Sequence, residues 1–201
     1  KWKEGLGGNL NVMVSGSAAL QTRLTRVFAA AEMPVMEGYG LTETSPVISV
    51  NDVNNKGFKI GTVGRIIQNL DVKIAEDGEI LCKGPNVMMG YYKDEELTNE
   101  VIKDGYFHTG DIGEIDHDGF LKITDRKKEM FKTSGGKYIT PGMIENKLRE
   151  SPFIEQAMVI GENQKFASAL LVPAFAYLKD YCTRQNINYT TNEEMVKNDV
   201  V

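Results

Sequence analysis

Two Asp-Gly dipeptides, Asp77-Gly78 and Asp118-Gly119, each interrupt a run of alternating apolar and polar residues, VKIAEDGEILCK and GEIDHDGFLKI. Asp-Gly between such runs favours a tight reversal, so each stretch predicts a β-hairpin. The segment from about 60 to 124 is punctuated by glycine throughout. It is expected to form a small antiparallel sheet or a β-barrel-like subdomain. Between the hairpins, DEELTNEVI (residues 94 to 102) has the polarity and spacing of one short surface helix.

The chain before this segment has a different rhythm. LNVMVSG is β-rich and GSAA is a tight small-residue turn. Leu20, Leu24, Val27, Phe28 and Ala31 then fall at helical spacing, and another short strand containing PVM follows. This predicts a βαβ-like unit. After residue 125, DRKKEMFKTSGGKY has no clean period and is expected to be a linker or an exposed functional loop. Thr140-Pro141 then offers an N-cap with proline at the first helical position, and MIENKLRES continues the helix. EQAMVIG and FASALLVP read as strands, and AFAYLKDYCTRQN as a helix. The expected class is therefore α/β and β. Residues 1–58 are the end of an α/β subdomain, 59–125 a β subdomain, and 126–201 a hinge with part of a small α+β domain.

Thr191-Asn-Glu-Glu194 is a Thr-x-x-Glu capping box that predicts one more helix, continuing through Met195, Val196 and Val200. With no initiator methionine at Lys1 and a helix opening so near Val201, the chain reads as an excised piece of something longer.

Composition narrows the classes of function. A net charge of -5, spread without an acidic tail, disfavours a general nucleic-acid or anionic-membrane binder. No apolar run approaches the ~20 residues of a spanning helix, and a cytoplasmic location is expected. Cys82 and Cys182 lie far apart without metal spacing and read as two reduced thiols.

Four places combine small or glycine residues with polar groups suited to ligands. SGSAA (15 to 19) lets backbone approach a flat ligand closely, although an ordinary tight βα turn has the same composition. GYGLTETSP (38 to 46) sets Tyr39 between glycines and adds the hydroxyl of Thr42 and the hard carboxylate of Glu43. This suits ring stacking, phosphate contact and Mg2+ coordination, or simply a loop with a helix cap. In YFHTGD (106 to 111), Asp111 could accept from two neighbouring sugar hydroxyls, or be a turn carboxylate satisfied by backbone amides. Arg126, Lys127, Lys128, Lys132 and Lys137 surround Gly135-Gly136 in a loop that could attract an anionic nucleotide, or be solvated surface. His108, among Tyr106, Phe107 and Thr109, is expected to pack, and His117 to sit in a hairpin turn. No serine or cysteine with a companion base supports a hydrolase.

Taken in order, these places resemble the adenylate-forming enzymes, the superfamily of acyl-CoA synthetases, luciferases and peptide-synthetase adenylation domains. SGSAAL is similar to the family's adenine-side loop, EGYGLTE to its central motif and GYFHTGDIG to its ribose motif. DGFLKITDRKKEMFKTSGGKYITP is similar to its hinge and carboxy-terminal entry. The order of the four carries the resemblance, which extends to about residue 175. TDRKKEMFKTSGGKYITP and ASALLVPAF look most like long-chain fatty-acid CoA ligases, and other branches more often carry glycine where this chain has Asp125.

The resemblance implies ATP-dependent ligation of a long-chain fatty acid to coenzyme A through an acyl-adenylate, with Mg2+. Its alternatives are another acyl or aryl CoA ligase and a non-catalytic nucleotide-binding homologue. By the same analogy Asp111 and Arg126 reach the ribose, Tyr39 stacks on adenine between Gly38 and Gly40, and Gly16, Ser17 and Ala18 line the ring's other side. Thr42 contacts the α-phosphate, Glu43 holds the metal and Lys128 is the pivot. Lys132 matches a position that faces the active site during thioester formation, and one extra residue follows it near Gly135 and Gly136. The family's phosphate loop, most of its acyl pocket and its carboxy-terminal lysine have no counterpart in these residues. The piece is thus expected to fold without catalysing, with any peripheral membrane contact made by other parts of the protein.

Overall fold

The computed structural model describes residues 2–18, 20–54 and 57–198. The chain forms two compact units, Lys1–Lys128 and Glu129–Val201. The first begins with a short helix α1 (Trp2–Gly5), strand β1 (Met13–Ser15), helix α2 (Thr22–Ala30) and strand β2 (Val35–Tyr39). β1 and β2 pair in parallel, Met13 opposite Val35 and Ser15 opposite Glu37, with α2 as the crossover. This is the predicted βαβ unit. β3 (Ser49–Val50) and β4 (Arg65–Ile66) extend the sheet in antiparallel fashion to give the order β1-β2-β3-β4.

The face of α2 differs from its sequence pattern. Leu24 and Val27 remain 41% and 39% exposed, whereas Thr25 is fully buried. The reason is a polar contact: Thr25 Oγ1 donates to Glu37 Oε1, itself on the buried side of β2.

The glycine-punctuated segment folds into an antiparallel sheet of β5 (Asp71–Ile74), β6 (Glu79–Lys83), β7 (Ile102–Lys103), β8 (Tyr106–Ile115) and β9 (Leu121–Arg126). Both predicted hairpins are present, β5 with β6 and β8 with β9, and the sheet is open rather than a closed barrel. Helix α3 (Glu95–Val101) lies between them, with the Asp94 carboxylate accepting from the Leu97 amide as its cap. β8 pairs along one edge with β6, and along the other first with β7 and then with β9. Ile48, Ile80, Cys82 and Leu121 are fully buried where the two sheets meet, and Tyr39, Leu41 and Val72 pack against them. Burying a large apolar side chain of this kind is worth about 1.5–3 kcal/mol relative to exposure, so Tyr39 packs on a stabilised apolar floor.

The second unit contains β10 (Phe131–Lys132), β11 (Tyr138–Ile139), α4 (Pro141–Leu148), β12 (Ile154–Ile160), β13 (Ser168–Pro173), α5 (Phe175–Gln185) and α6 (Asn192–Val196). The stretch expected to be a linker holds a one-turn 3-10 segment (Lys127–Glu129) and then the β10–β11 hairpin. Strands of two residues are too short to imprint a period, which is why none was visible. Leu178, Cys182 and Met195 form this unit's core with Phe153 and Phe175 around them. Thr191 caps α6 by accepting from the Glu194 amide, but Glu194 turns its own carboxylate to Thr190. α6 ends at Val196, short of the predicted continuation, since Lys197 and Asn198 are outside the helix; Val200 lies outside the described residues. Both cysteines are free and buried. Burial pushes the Cys82 thiol up to about 11. Among the described residues no helix is long and apolar enough to cross a membrane.

Candidate functional site

β8 explains where a carboxylate can be placed inside a strand. Its side chains alternate, and Phe107, Thr109, Asp111 and Gly113 occupy the buried side. Asp111 thus takes an inward position that an apolar residue would ordinarily fill, and it is only 5% exposed. Tyr39, 72 residues away at the end of β2, donates its phenol to Asp111 Oδ2 at 2.7 Å. Arg126, opposite Asp111 in the β8–β9 register, places Nε 3.4 Å from Oδ1. One end of Arg126 is solvent-facing, its side chain being 66% exposed.

Burial pushes the Asp111 carboxyl above its ordinary range, helped by the negative charge of Glu79, while the Tyr39 hydrogen bond and Arg126 pull it down. The Tyr39 phenol is raised strongly, by burial first and then by Asp111. A carboxylate kept in a dry place with two donors is poised to accept further hydrogen bonds from a ligand.

The loop after β2 is equally constrained. A Cβ on Gly40 would lie 1.7 Å from the Pro46 carbonyl oxygen, so only glycine lets the chain close there. Asn86 Nδ2 donates to the carbonyls of Thr44 and Val47, both at 2.9 Å, and Met88 donates its amide to the Glu43 carbonyl. Tyr91 donates to Glu43 Oε1 at 2.8 Å, which fixes the carboxylate through one of its two oxygens. Partial burial and that carboxylate push the Tyr91 phenol up to about 12. Thr42 is exposed on the same one-turn segment. On the neighbouring strand end, Gly16, Ser17 and Ala18 are exposed. A Cβ on Gly16 would sit 3.6 Å from the Gly38 carbonyl oxygen, and Ser17 adopts φ 67.

The structure therefore brings Gly16, Gly38, Tyr39, Gly40, Asp111 and Arg126 together in one unit, with Thr42 and Glu43 on the adjoining loop. Lys128 is exposed at the last position of that unit. Lys132 belongs to the second unit, its Nζ 5.1 Å from the centre of the Tyr138 ring. Sequence reasoning missed Tyr91, Asn86 and Glu79. A Gly-Tyr-Tyr triplet and a lone asparagine carry no periodic signal, and nothing in the VKIAEDGEILCK pattern sets Glu79 apart from its neighbours. His108 also does more than pack: its Nδ1 lies 3.1 Å from Glu79 Oε2. His117 is exposed in the second hairpin turn, as predicted.

Comparison with known proteins gives the following. The AMP-binding enzyme family matches residues 1–92, and the AMP-binding enzyme C-terminal domain matches residues 129–196. The chain is 44% identical over 171 residues to the long-chain-fatty-acid–CoA ligase FadD15 of Mycobacterium tuberculosis, covering 85% of this chain and 28% of that protein. It is 36% identical over 205 residues to long chain acyl-CoA synthetase 3 of Arabidopsis thaliana, covering 94% and 30% respectively. The chain thus spans less than a third of the length of these curated relatives. Among solved structures, o-succinylbenzoate coenzyme A synthetase from Bacillus subtilis in complex with ATP and magnesium ion superposes with a TM-score of 0.72 at 27% identity, covering 96% of this chain and 44% of that one. The same enzyme with its acyl-adenylate intermediate gives 0.73 at 28% identity, covering 90% and 42%.

Proposed function

Since the chain belongs to the AMP-binding, adenylate-forming enzymes, we propose that it is the nucleotide-holding portion of a long-chain fatty-acid–CoA ligase. The observation that carries this reading is the Tyr39–Asp111–Arg126 arrangement, in which an aromatic ring, a buried carboxylate and a guanidinium converge from three strands. Asp111 accepts hydrogen bonds from the ribose hydroxyls of ATP, with Arg126 on the same sugar. Tyr39 stacks on adenine, and Gly16, Ser17 and Ala18 line the ring's other face.

In the first half-reaction the fatty-acid carboxylate oxygen attacks the α-phosphorus, and pyrophosphate leaves with the bonding pair. In the second, the coenzyme A sulfur attacks the acyl carbon, its proton is lost, and AMP departs. The protein's contribution to both is chiefly positioning and stabilisation of charge on phosphate. Thr42 meets the α-phosphate. Glu43, aimed by Tyr91, is an oxygen donor suited to magnesium, which would supply neutralisation of phosphate charge when bound. The break between compact units after Lys128 supports a pivot there, with Lys132 carried on the second unit for thioester formation.

The test is pyrophosphate exchange by the full-length protein with ATP and palmitate. Asp111→Ala should weaken ATP binding by about 2–3 kcal/mol, the worth of a charge-assisted bidentate contact, and leave fatty-acid binding unchanged. Unaltered ATP dependence would return Asp111 to a structural role. ATP binding without exchange would identify a non-catalytic homologue.

A further inference from the structure

Glu79 is the first residue of β6, directly after the Asp77-Gly78 turn, and its side chain is 5% exposed. A buried carboxylate inside a β-sheet is costly, and an apolar residue of similar volume would often serve stability as well. Its partners suggest what it does. Oε1 accepts the Gly110 amide at 2.9 Å. Oε2 accepts from Lys127 Nζ at 2.8 Å and lies 3.1 Å from His108 Nδ1.

Gly110 is the residue before Asp111, and Lys127 is the residue after Arg126. Asp111 and Arg126 face each other across β8 and β9. The β6–β8 register shifts between Glu79 and Leu81, so the ladder does not run evenly through Gly110, whose φ is +72. An irregularity of this kind re-aims the side chain that follows it. With its amide released, the Thr109–Gly110 peptide, one link before the peptide whose Asp111 N–H donates to Thr109 Oγ1, would lose the side-chain acceptor that Glu79 gives it. Lys127 is held a second time by Asp77 at 2.6 Å, which ties the turn, the bulge and the end of β9 into one cluster.

We propose that Glu79 is a positioning residue for nucleotide binding, holding both members of the Asp111–Arg126 pair through their chain neighbours without touching the nucleotide. This rests on the reading of Asp111 as the ribose acceptor, and the test separates the two. In the full-length protein, pyrophosphate exchange is measured with ATP and palmitate varied separately. Glu79→Gln preserves volume but removes the charge, and should raise the KM for ATP about tenfold, the effect of weakening one charge-assisted hydrogen bond, with the KM for palmitate unchanged. In an Asp111→Asn background the same substitution should add less than about twofold, because the two act in series.

Equal losses for both substrates, or full additivity with Asp111→Asn, would overturn the proposal and leave Glu79 as a structural residue. If Asp111→Asn itself does not change the KM for ATP, the ribose reading fails and this inference falls with it. Should Glu79→Gln not yield folded protein, Lys127→Gln decides, since that side chain is 45% exposed and approaches from the solvent side. An ATP-specific rise in that variant supports the proposal, and its absence overturns it.

Discussion

The two hairpins share a dipeptide and a geometry but lead to opposite surroundings. Gly78 and Gly119 have φ values of +87 and +82, the same turn conformation. At the first turn the next residue, Glu79, runs inward and gathers Gly110, His108 and Lys127. At the second, Asp116 and Asp118 stay at the surface, where Lys59 bridges them at 2.6 and 3.1 Å. Turn chemistry thus set the reversal in both, and the residue after the glycine is buried in both, so the contrast lies in residue type: Glu79 puts a carboxylate at that inward position where the second hairpin has Phe120. A lysine pairs with acids in each case, but only the first pair includes a carboxylate largely removed from water, and there the interaction is screened least.

The largest test of that contrast is Glu79→Ala, which leaves the Gly110 amide without its side-chain acceptor and Lys127 with Asp77 alone. It should cost about 2 kcal/mol of stability, measured by denaturant unfolding, with the loss largely persisting at high salt because the carboxylate removed is only 5% exposed. A smaller effect separates the turn glycines themselves. Gly119→Ala meets open space and should cost only the left-handed conformational penalty of about 1 kcal/mol. Gly78→Ala places a Cβ 3.1 Å from Ile112 Cγ2 and should cost measurably more. Equal costs would mean that the first hairpin is no more tightly packed than the second.

The smallest effect concerns pH. The hydrogen bond from Lys59, then that from the Phe120 amide, bring Asp116 down to about 2. A carboxyl lowered by folding contributes stability that is present above its ordinary range and lost as pH falls toward its folded value. The stability difference between the parent and Asp116→Asn should therefore shrink on going from about pH 5 to about pH 2. It should also shrink in about 1 M salt, where screening reaches within a few Å. A difference that survives both would place the second turn in the same class as the first.

Much of the architecture could be read from residue order. The Asp-Gly hairpins, the short helix within residues 94 to 102 and the helix start at Pro141 stand where the pattern put them, although the Thr140 side chain makes no capping hydrogen bond. The four ligand-suited places were also legible, through resemblance. Their physical connection was not. Nothing in spacing shows that Tyr39 and Asp111 touch across 72 residues. Alternation reads charged residues as outward-facing, so inward Asp111 and Glu79 violate the rule used to find strands. Such violations concentrate where a site must be built. The β10–β11 hairpin escaped notice for the simpler reason of length.

β8 runs with neighbours on both of its edges, β6 along one and β7 followed by β9 along the other. Fraying of a sheet begins at strands with a free side, so amide hydrogens of β8 should be among the last in the first unit to exchange with solvent deuterium. The carboxylate assigned to the sugar is therefore carried by a strand that opens only when the sheet itself does. Transient unzipping of β7 or β9 would expose the rim of the site while leaving the acceptor at its centre in register.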